Sequence, residues 1–407
     1  MAKIDKRRKR DSMYETKTSM IPKISIIITV YNAEKYLREC LDSALKQTLS
    51  ELEIVCIDGN STDKTLLIIG EYIKRDPRIK VFQQTGTGIG AAKNCGIEKA
   101  SGEYITFLDA DDYYVDNTAL DQMYQQCIRT KVAICGALRS TLLLDGNVIT
   151  ENLHRNDLKN NSTDTKYQYK DRPYDYHFHS YIYATSLIKN NHIQFAETTA
   201  YDDTHFFIRA MLAAHEFVLA PVELYRYRCG EAYNWAMEKA NDAIDSLIDQ
   251  LILTKENQLD WLHWLTVQRI NYEYGEIFTK NILMGDYCLL EKMIYANQQI
   301  SAEILERVLK NPPPQSWYVE PMIHRNINEM PLRKSLNQYM PAFILEPLWN
   351  ILFLRNYDDH MYKTKIESLE KHIQILENSW SFKMGRMLTF IPRKIRHVLL
   401  SMRNNDR

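Results

Sequence analysis

Apolar residues in the first third of the chain fall into short, nearly continuous runs, and each run is followed by a segment with helical spacing. Residues 24–30 are rich in β-branched side chains, as is typical of a strand buried on both faces of a parallel sheet. Further strands are predicted at residues 52–57, 79–82 and 102–108, with a fifth at residues 132–135.

The segments between these strands have the spacing of amphipathic helices. After Asn32, which has the side chain of a helix N-cap, apolar residues recur every three or four positions up to residue 45. Helices are likewise predicted at residues 66–73 and from the glycines at 86–90 to residue 100. Alternation of this kind predicts an α/β fold with a mainly parallel central sheet and helices on both of its faces.

Three carboxylates, Asp109, Asp111 and Asp112, follow the fourth predicted strand. Ligands bind at the carboxyl ends of strands in open parallel sheets, so these side chains are expected at the mouth of a site. Crowded carboxylates repel one another unless a cation lies among them, and Mg²⁺ or Mn²⁺ usually completes its coordination with phosphate oxygens and water. We therefore predict a metal-held diphosphate, with a solvated acidic turn as the alternative.

Two earlier strand ends carry polar side chains that suit the same ligand. Tyr31 offers a ring face to a base, and Asp58 and Asp63 can accept hydrogen bonds from a base edge or a ribose. Together with the three carboxylates, these residues predict a nucleotide site at one edge of the sheet.

Four ordered motifs resemble the family 2 glycosyltransferases of the GT-A fold, as found in bacterial surface-polysaccharide synthesis. They are I-I-I-T-V-Y-N-A-E-K-Y-L at 26–37, I-D-G-N-S-T-D at 57–63, A-K-N-C-G at 92–96 and G-E-Y-I-T-F-L-D-A-D-D at 102–112. The resemblance covers about residues 23–230. It implies a GT-A nucleotide-sugar-binding fold and inverting transfer of a sugar from a nucleotide-sugar, usually a UDP-sugar, with Mn²⁺ or Mg²⁺ as cofactor.

The resemblance also implies roles for individual residues. The implied nucleotide-sugar contacts are Thr29, Tyr31, Asn32, Asp58, Asp63, Lys93, Asp109, Ala110 and Arg228. Asp111 is the implied metal ligand, with Asp109 and Asp112 beside it.

An inverting transfer needs a base that takes the proton from the acceptor hydroxyl, while a metal stabilises the leaving diphosphate. The segment A-Y-D-D-T-H-F-F at 200–207 resembles the acidic pair of the family, with Asp203 as the base and Asp202 beside it. The alternative is that both residues only favour a helix start, where acidic side chains are common. Arg228 could reach the diphosphate or be an exposed strand residue.

Three histidines are candidates for further roles. His177 and His179 would lie on one face of a strand, and no carboxylate partner is evident in the sequence around them. We therefore favour an acceptor-pocket or surface role over metal binding. His205 could serve the acceptor site or lie on a helix surface.

Three other functions match parts of the pattern. The glycines at 86–90 mimic the dinucleotide fingerprint of a short-chain dehydrogenase, but that fingerprint belongs after the first strand. A nucleotidyltransferase making a nucleotide-sugar would share the fold and the carboxylates, but it normally needs a glycine-rich basic loop where residues 31–35 stand. A catalytically inactive binding module would not need both the metal carboxylates and the base.

Composition restricts the function further. The chain has 407 residues and a net charge of -1, which argues against a nucleic-acid-binding polycation. Seven cysteines without a C-x-x-C pair indicate reduced thiols in a cytosolic protein. Neither a signal peptide nor a membrane span is predicted, because the apolar segment 342–354 is short and interrupted. We expect the acceptor to be met on the cytoplasmic side.

Four parts are expected along the chain. Residues 1–22 form a basic, flexible N-terminus, residues 23–235 the GT-A domain and residues 236–357 a helical accessory region of unknown role. Residues 358–407 contain a short heptad helix and a basic, aromatic-rich tail, which is typical of contact with an anionic membrane.

The expected enzyme is a metal-dependent hexosyl- or N-acetylhexosaminyl-transferase that extends a glycan or lipid-linked acceptor in cell-surface polysaccharide biosynthesis. It would be cytoplasmic and peripheral on the inner face of the cell membrane. The sequence leaves open whether it forms homo-oligomers, and it identifies neither the sugar nor the acceptor.

Overall fold

The computed structural model describes residues 21–150, 158, 164–171, 173–198, 201–229, 237–283 and 286–310. The predicted heptad helix, the basic tail, residues 311–357 of the helical region and nearly all of the basic N-terminus lie outside the described residues.

In the described part of the chain, ten strands form one sheet. They are β1 Ile24–Val30, β2 Leu52–Asp58, β3 Ile79–Gln83, β4 Tyr104–Phe107, β5 Tyr113–Tyr114, β6 Ile134–Leu142, β7 Val148–Thr150, β8 Tyr167–Gln168, β9 Tyr181–Ala184 and β10 Glu216–Arg228.

Helices cover this sheet and continue beyond it. The helices of the α/β part are α1 Leu37–Leu45, α2 Thr65–Ile73, α3 Gly88–Lys99, α4 Ala119–Thr130, α5 Thr185–Asn190 and α6 Asp203–Ala214. The later helices are α7 Met237–Glu256, α8 Asp260–Gln268, α9 Gly275–Leu283, α10 Tyr287–Gln299 and α11 Ala302–Lys310.

The sheet is a mixed one built on a parallel core. Strands β3, β2, β1 and β4 lie in this order and run parallel, which confirms the first four predicted strands. The fifth predicted strand is the start of β6, but it does not pair with β4. The antiparallel strand β9 lies between them. This insertion brings a later part of the chain next to the carboxyl end of β4.

Side chains of β1 alternate between two apolar cores. Ile24, Ile26 and Ile28 pack on one face against residues of α1, α2 and α4. Ile27 packs on the other face, in a cluster that also contains Ile97 of α3. Burial on both faces explains why this strand has an almost unbroken apolar sequence.

The first helix begins later than the sequence predicts. Helix α1 has Tyr36 as its N-cap residue, so the prediction that Asn32 caps this helix is wrong. Asn32 has a left-handed backbone with φ 47°, and its side-chain oxygen accepts a hydrogen bond from the Thr62 N–H at 2.8 Å. The amide therefore connects the loop after β1 to the loop after β2.

Residues 237–310 are helical where the structure describes them. Many of their apolar side chains form a third cluster that includes Leu247, Leu251 and Phe278, while Leu259 and Leu262 pack in the cluster of the sheet that contains Ile27. Between α8 and α9 the chain forms a π-helical turn, Arg269–Glu273. Within the described ranges, the helices are too short or too polar to cross a bilayer.

Candidate active site

The loops after β1 and β2 form one side of the predicted site, and two of the predicted ligand contacts hold them in place. Besides the contact of Asn32, Asp63 accepts hydrogen bonds from the N–H groups of Glu34 at 3.0 Å and Thr65 at 2.9 Å. Asn32 and Asp63 therefore shape the loops through their own hydrogen bonds, a role that the sequence did not indicate.

Asp58, at the end of β2, is almost fully buried. Its carboxylate accepts hydrogen bonds from the N–H groups of Asn60 at 3.1 Å and Ser61 at 3.3 Å, which fixes the turn that follows the strand. On the paired strand β1, Val30 is opposite Asp58 and Thr29 is opposite Ile57. The ring of Tyr31, by contrast, is 67% exposed and is available to a ligand.

Asp109 lies at the end of the parallel core and contacts a histidine. Its Oδ2 is 3.1 Å from Nε2 of His179, and the His179 ring stacks on Tyr225 with centroids 4.8 Å apart. Burial acts to raise the pKa of Asp109, but His179 and Lys93 together hold that pKa below its usual range. Asp109 is therefore a carboxylate at neutral pH.

Both carboxylate oxygens of Asp112, which was predicted to lie among the metal ligands, are hydrogen-bonded to residues of β10. One of its oxygens accepts a hydrogen bond from the Tyr225 hydroxyl and the other from the Arg228 N–H, both at 2.6 Å. The residue is only 1% exposed, and burial together with the charge of Asp109 raises its pKa to about 8. Asp112 thus joins the carboxylate turn to β10.

Asp111 is the exposed member of the group. Among the described residues its carboxylate accepts no hydrogen bond from another side chain. Partial burial of the Asp111 carboxyl group and the charge of Asp109 raise the pKa of Asp111. Arg228 lies beside it, with Nε donating to the Asp111 carbonyl at 2.9 Å and Nη2 2.7 Å from Glu39. The structure thus places a carboxylate and a guanidinium together at the mouth of the site.

Lys93 links the carboxylate turn to the acidic pair. Its ammonium is buried and donates to Asp202 at 2.9 Å, with the rings of Phe178 and Phe195 4.6 and 5.0 Å away. Burial acts to lower the pKa of Lys93, but Asp202, Asp109 and Asp203 raise it. Lys93 was predicted to contact the nucleotide-sugar, and its direct partner in the structure is Asp202.

Asp203 has the environment of a general base. It is the first residue of α6, and burial together with the neighbouring charge of Asp202 raises its pKa to about 7. Asp202 makes no capping hydrogen bond to the helix, so the alternative of a simple cap does not describe its carboxylate. A carboxyl group with a pKa near neutrality can accept a proton and release it again under physiological conditions.

The structure gives the surroundings of the three candidate histidines, and those of His177 and His179 differ from the prediction. His177 has a left-handed backbone, and residues 178–180 form a short 3₁₀ turn, so the prediction of a strand with both rings on one face is wrong. His179 does have a carboxylate partner, Asp109, which lies 70 residues earlier. His205 is buried and its Nε2 is 3.9 Å from Asp249 of α7. No local sequence signal could have revealed the contact of His179, because it depends on the position of β9.

The residues present partly fit a divalent cation. No three His, Cys, Asp or Glu side chains converge as a complete metal site in the described ranges. Asp111 and Asp109 nevertheless supply carboxylate oxygens, which Mg²⁺ and Mn²⁺ prefer, and these ions commonly take their remaining ligands from phosphate and water. The donor set therefore fits an ion that is held jointly with a diphosphate.

The glycine segment that mimics a dinucleotide fingerprint has a packing role. It follows β3, the edge strand of the sheet, and leads into α3. A Cβ atom on Gly90 would lie 1.9 Å from the carbonyl oxygen of Ala196. Close approach of two backbones explains this glycine, and its place in the sheet does not match the first βα turn of a dehydrogenase.

Comparison with protein families places this site in a known context. Residues 25–190 match the family model described as Glycosyl transferase family 2. The matched range contains the strand-end carboxylates and Lys93, and it ends before the Asp202–Asp203 pair.

Curated relatives share the first part of the chain. The uncharacterized glycosyltransferase EpsJ of Bacillus subtilis is 40% identical over 117 residues, which are 29% of this chain and 34% of that protein. The putative glycosyltransferase EpsH of the same organism is 29% identical over 222 residues, which are 51% of this chain and 61% of that protein. The chain thus spans less than two thirds of the length of these relatives.

A solved structure shows the same fold. The S. aureus protein TarS, residues 1–349, crystallised in complex with UDP-GlcNAc, superposes with a TM-score of 0.55 at 22% identity, covering 69% of this chain and 82% of that one. This confirms the predicted α/β architecture of the GT-A type.

Proposed function

We propose that the protein, whose residues 25–190 match the family model described as Glycosyl transferase family 2, is an inverting glycosyltransferase. It transfers a sugar from a nucleotide-sugar to a glycan or lipid-linked acceptor in cell-surface polysaccharide biosynthesis. The observation that carries the proposal is Asp203, a carboxyl group with a pKa of about 7 beside the buried Lys93–Asp202 pair.

The proposed reaction forms one bond and breaks one. Asp203 accepts the proton of the acceptor hydroxyl while the hydroxyl oxygen attacks the anomeric carbon. The bond from that carbon to the diphosphate oxygen breaks, and the nucleoside diphosphate leaves from the opposite face, which inverts the anomeric configuration. One carboxylate is enough, because the leaving group does not need a protein acid.

The other site residues would bind and orient the donor. Tyr31 would stack on the base, and Arg228 would face the diphosphate from the mouth of the site. Asp111, with Asp109 beside it, would hold Mn²⁺ or Mg²⁺, which neutralises charge on the departing diphosphate. Lys93 compensates the charge of Asp202, so that Asp203 is not surrounded by negative charge alone.

We propose a UDP-sugar as the donor and a hexosyl or N-acetylhexosaminyl group as the transferred unit. The TarS structure holds UDP-GlcNAc, and the relatives include a poly(ribitol-phosphate) beta-glucosyltransferase of Bacillus spizizenii that is 44% identical over 106 residues. We further propose that the enzyme works at the inner face of the cell membrane, since residues 379–400 contain many basic and aromatic residues and no acid.

Release of nucleoside diphosphate from a panel of nucleotide-sugars with Mn²⁺ tests the function. The panel would include UDP-GlcNAc, UDP-glucose and GDP-mannose, with and without polysaccharide or lipid-linked acceptors. We expect the parent to release UDP from one UDP-sugar. The Asp203→Asn variant should release no UDP from the same donor. No release from any donor would contradict the proposal, and release of pyrophosphate from a nucleoside triphosphate and a sugar phosphate would indicate a nucleotidyltransferase.

A further inference from the structure

An arginine outside the family-matched segment reaches the surroundings of the acidic pair. Arg269 is only 4% exposed and lies on the π-helical turn between α8 and α9. It forms an ion pair with Asp175, which is fully buried, and Gln250 of α7 donates a hydrogen bond to the same carboxylate oxygen. Asp175 precedes the turn that carries His179, so this ion pair joins the helical region to the α/β part.

The same guanidinium contacts the residue just before the acidic pair. Its Cζ lies 5.8 Å from the ring centroid of Tyr201 and 5.5 Å from that of Tyr176. The Tyr201 ring also packs edge-on against Tyr274 with centroids 5.6 Å apart. Side chains of the helical region therefore hold Tyr201 from two directions.

The backbone of Tyr201 explains why such a hold is needed. Its φ is 63°, a left-handed conformation that is strained for a residue other than glycine and persists only where the surroundings impose it. The next two residues are Asp202 and Asp203. The contacts of Tyr201 therefore set the direction in which the acidic pair leaves this turn.

We propose that Arg269 is a positioning residue for the Asp202–Asp203 pair, acting through Tyr201 on its geometry and through Asp175 on its charge environment. The proposal rests on the proposed function in treating Asp203 as the base. It assigns to the helical region, which the sequence left without a role, a part in building the site. A π-helical turn, which often occurs at functional sites, is consistent with this role.

A buried ion pair such as Arg269–Asp175 is expected to add little to the stability of the fold. Desolvation of two buried charges often cancels their attraction, and well-packed apolar substitutes can be equally stable. The charges that surround Asp203 are those of Asp202, Lys93 and Asp175, and the phenol groups of Tyr183 and Tyr274 also face it. Asp175 acts to raise the pKa of Asp203, and Arg269 pairs with Asp175 and, through Nε at 3.5 Å, with Glu273.

This arrangement predicts opposite effects for the two partners. Arg269→Met leaves the Asp175 charge uncompensated and should raise the titration midpoint of Asp203 by roughly half a unit or more. Asp175→Asn should lower the midpoint by a similar amount. The double variant should return close to the parent, and Arg269→Lys should retain the parent midpoint, since it keeps the charge.

The experiment is a carboxyl NMR titration of the full chain labelled with [γ-¹³C]aspartate, in which the Asp203 signal is assigned by its absence from Asp203→Asn. Arg307→Met is the matched control, because Arg307 forms an exposed pair with Asp260 in the same helical region. It should leave the Asp203 midpoint unchanged. The acidic limb of the kcat/KM profile should shift with the midpoint when UDP release is measured for a donor from the panel.

Two results would overturn the proposal. Shifts of the Asp203 midpoint in the same direction for both single variants, or no shift despite a loss of thermal stability, would reduce Arg269 to a purely structural residue. If Arg269→Met does not fold, the downward shift in Asp175→Asn and its reversal in the double variant decide the question. Because the titration needs no substrate, its outcome is independent of whether the donor panel supports the proposed function.

Discussion

A buried ammonium needs nearby negative charge, and Lys93 obtains it from Asp202 at 2.9 Å and from Asp109 and Asp203 farther away. The acidic pair in turn needs the positive charge of Lys93, because two adjacent carboxylates in a buried position would otherwise both tend to protonate. Because Asp202 is paired with Lys93, a proton that binds to the acidic pair is expected on Asp203. One lysine thus makes the two aspartates chemically different.

The Asp203→Asn variant should lose transfer by at least about 100-fold while its affinity for UDP stays nearly unchanged, because the base acts on the acceptor and not on the nucleotide. In the parent, kcat/KM should rise with pH through about 7, since the carboxyl group must be deprotonated to accept a proton. Initial rates between pH 5 and 9 and calorimetric UDP binding measure both effects. If Asp202→Asn is the inactive variant and Asp203→Asn stays active, the roles within the pair are reversed.

Asp111 and Asp112 offer a matched pair for the metal assignment. Asp111→Asn should weaken UDP binding in Mn²⁺ and leave thermal stability unchanged, because this exposed carboxylate accepts no hydrogen bond from another side chain among the described residues.

Asp112→Asn should instead destabilise the fold by about 1–3 kcal/mol, since an amide cannot accept from both the Tyr225 hydroxyl and the Arg228 N–H. UDP titrations with and without Mn²⁺, together with urea unfolding, separate the two effects. Unchanged UDP affinity of Asp111→Asn in Mn²⁺ would refute its role as a ligand.

At the scale of elements, the approach of α3 to the chain before α6 sets the position of the acidic pair. Gly90 of α3 packs on the Ala196 backbone, and the Ala196 N–H donates to the carbonyl of Asp202 at 3.2 Å. Gly90 therefore contacts Ala196, and Ala196 in turn contacts Asp202.

Gly90→Ala should lower both activity and stability, because its Cβ would lie 1.9 Å from a backbone oxygen that cannot move without moving Asp202. Gly70→Ala is the matched control, since α2 leaves the space around that Cβ empty to 4 Å. This control should stabilise the protein by about 0.5–1 kcal/mol and keep full activity. Chemical unfolding gives the stability of Gly90→Ala and Gly70→Ala, and UDP release gives their activity. Equal stability and equal activity of the two variants would contradict the packing argument.

For the whole molecule, the sequence predicts a membrane-binding tail that lies outside the described residues. Removal of residues 379–407 should release the enzyme from anionic vesicles while transfer to a soluble acceptor continues, because its aromatic side chains enter the headgroup region and its Lys and Arg meet anionic lipid. High salt should weaken attachment of the full chain only in part, since salt screens charge and leaves apolar insertion. Equal flotation of both forms would show that the tail is an ordinary terminus.

The α/β class and the first four strands could be read from the sequence, because β1, β2 and β4 are buried on both faces, β3 is a short apolar edge strand, and each helix buries one face. The strand-end carboxylates could be read in the same way, since strand ends have a local signature, whereas the acidic pair was predicted from the resemblance to the family. Residues 24–30 and 102–107 illustrate this for the strands, which the structure confirms as β1 and β4.

The chemistry within the site was decided by contacts between distant residues. The carboxylate of Asp112 accepts hydrogen bonds from Tyr225 and Arg228 of β10, which lie 113 and 116 residues later. His179 meets Asp109 only because β9 inserts next to β4, and Arg269 reaches Asp175 across 94 residues. Pairing order in a sheet and the packing of one region on another depend on the free energy of the whole fold. A periodic local pattern contains no information about them, so only the tertiary structure could assign these partners.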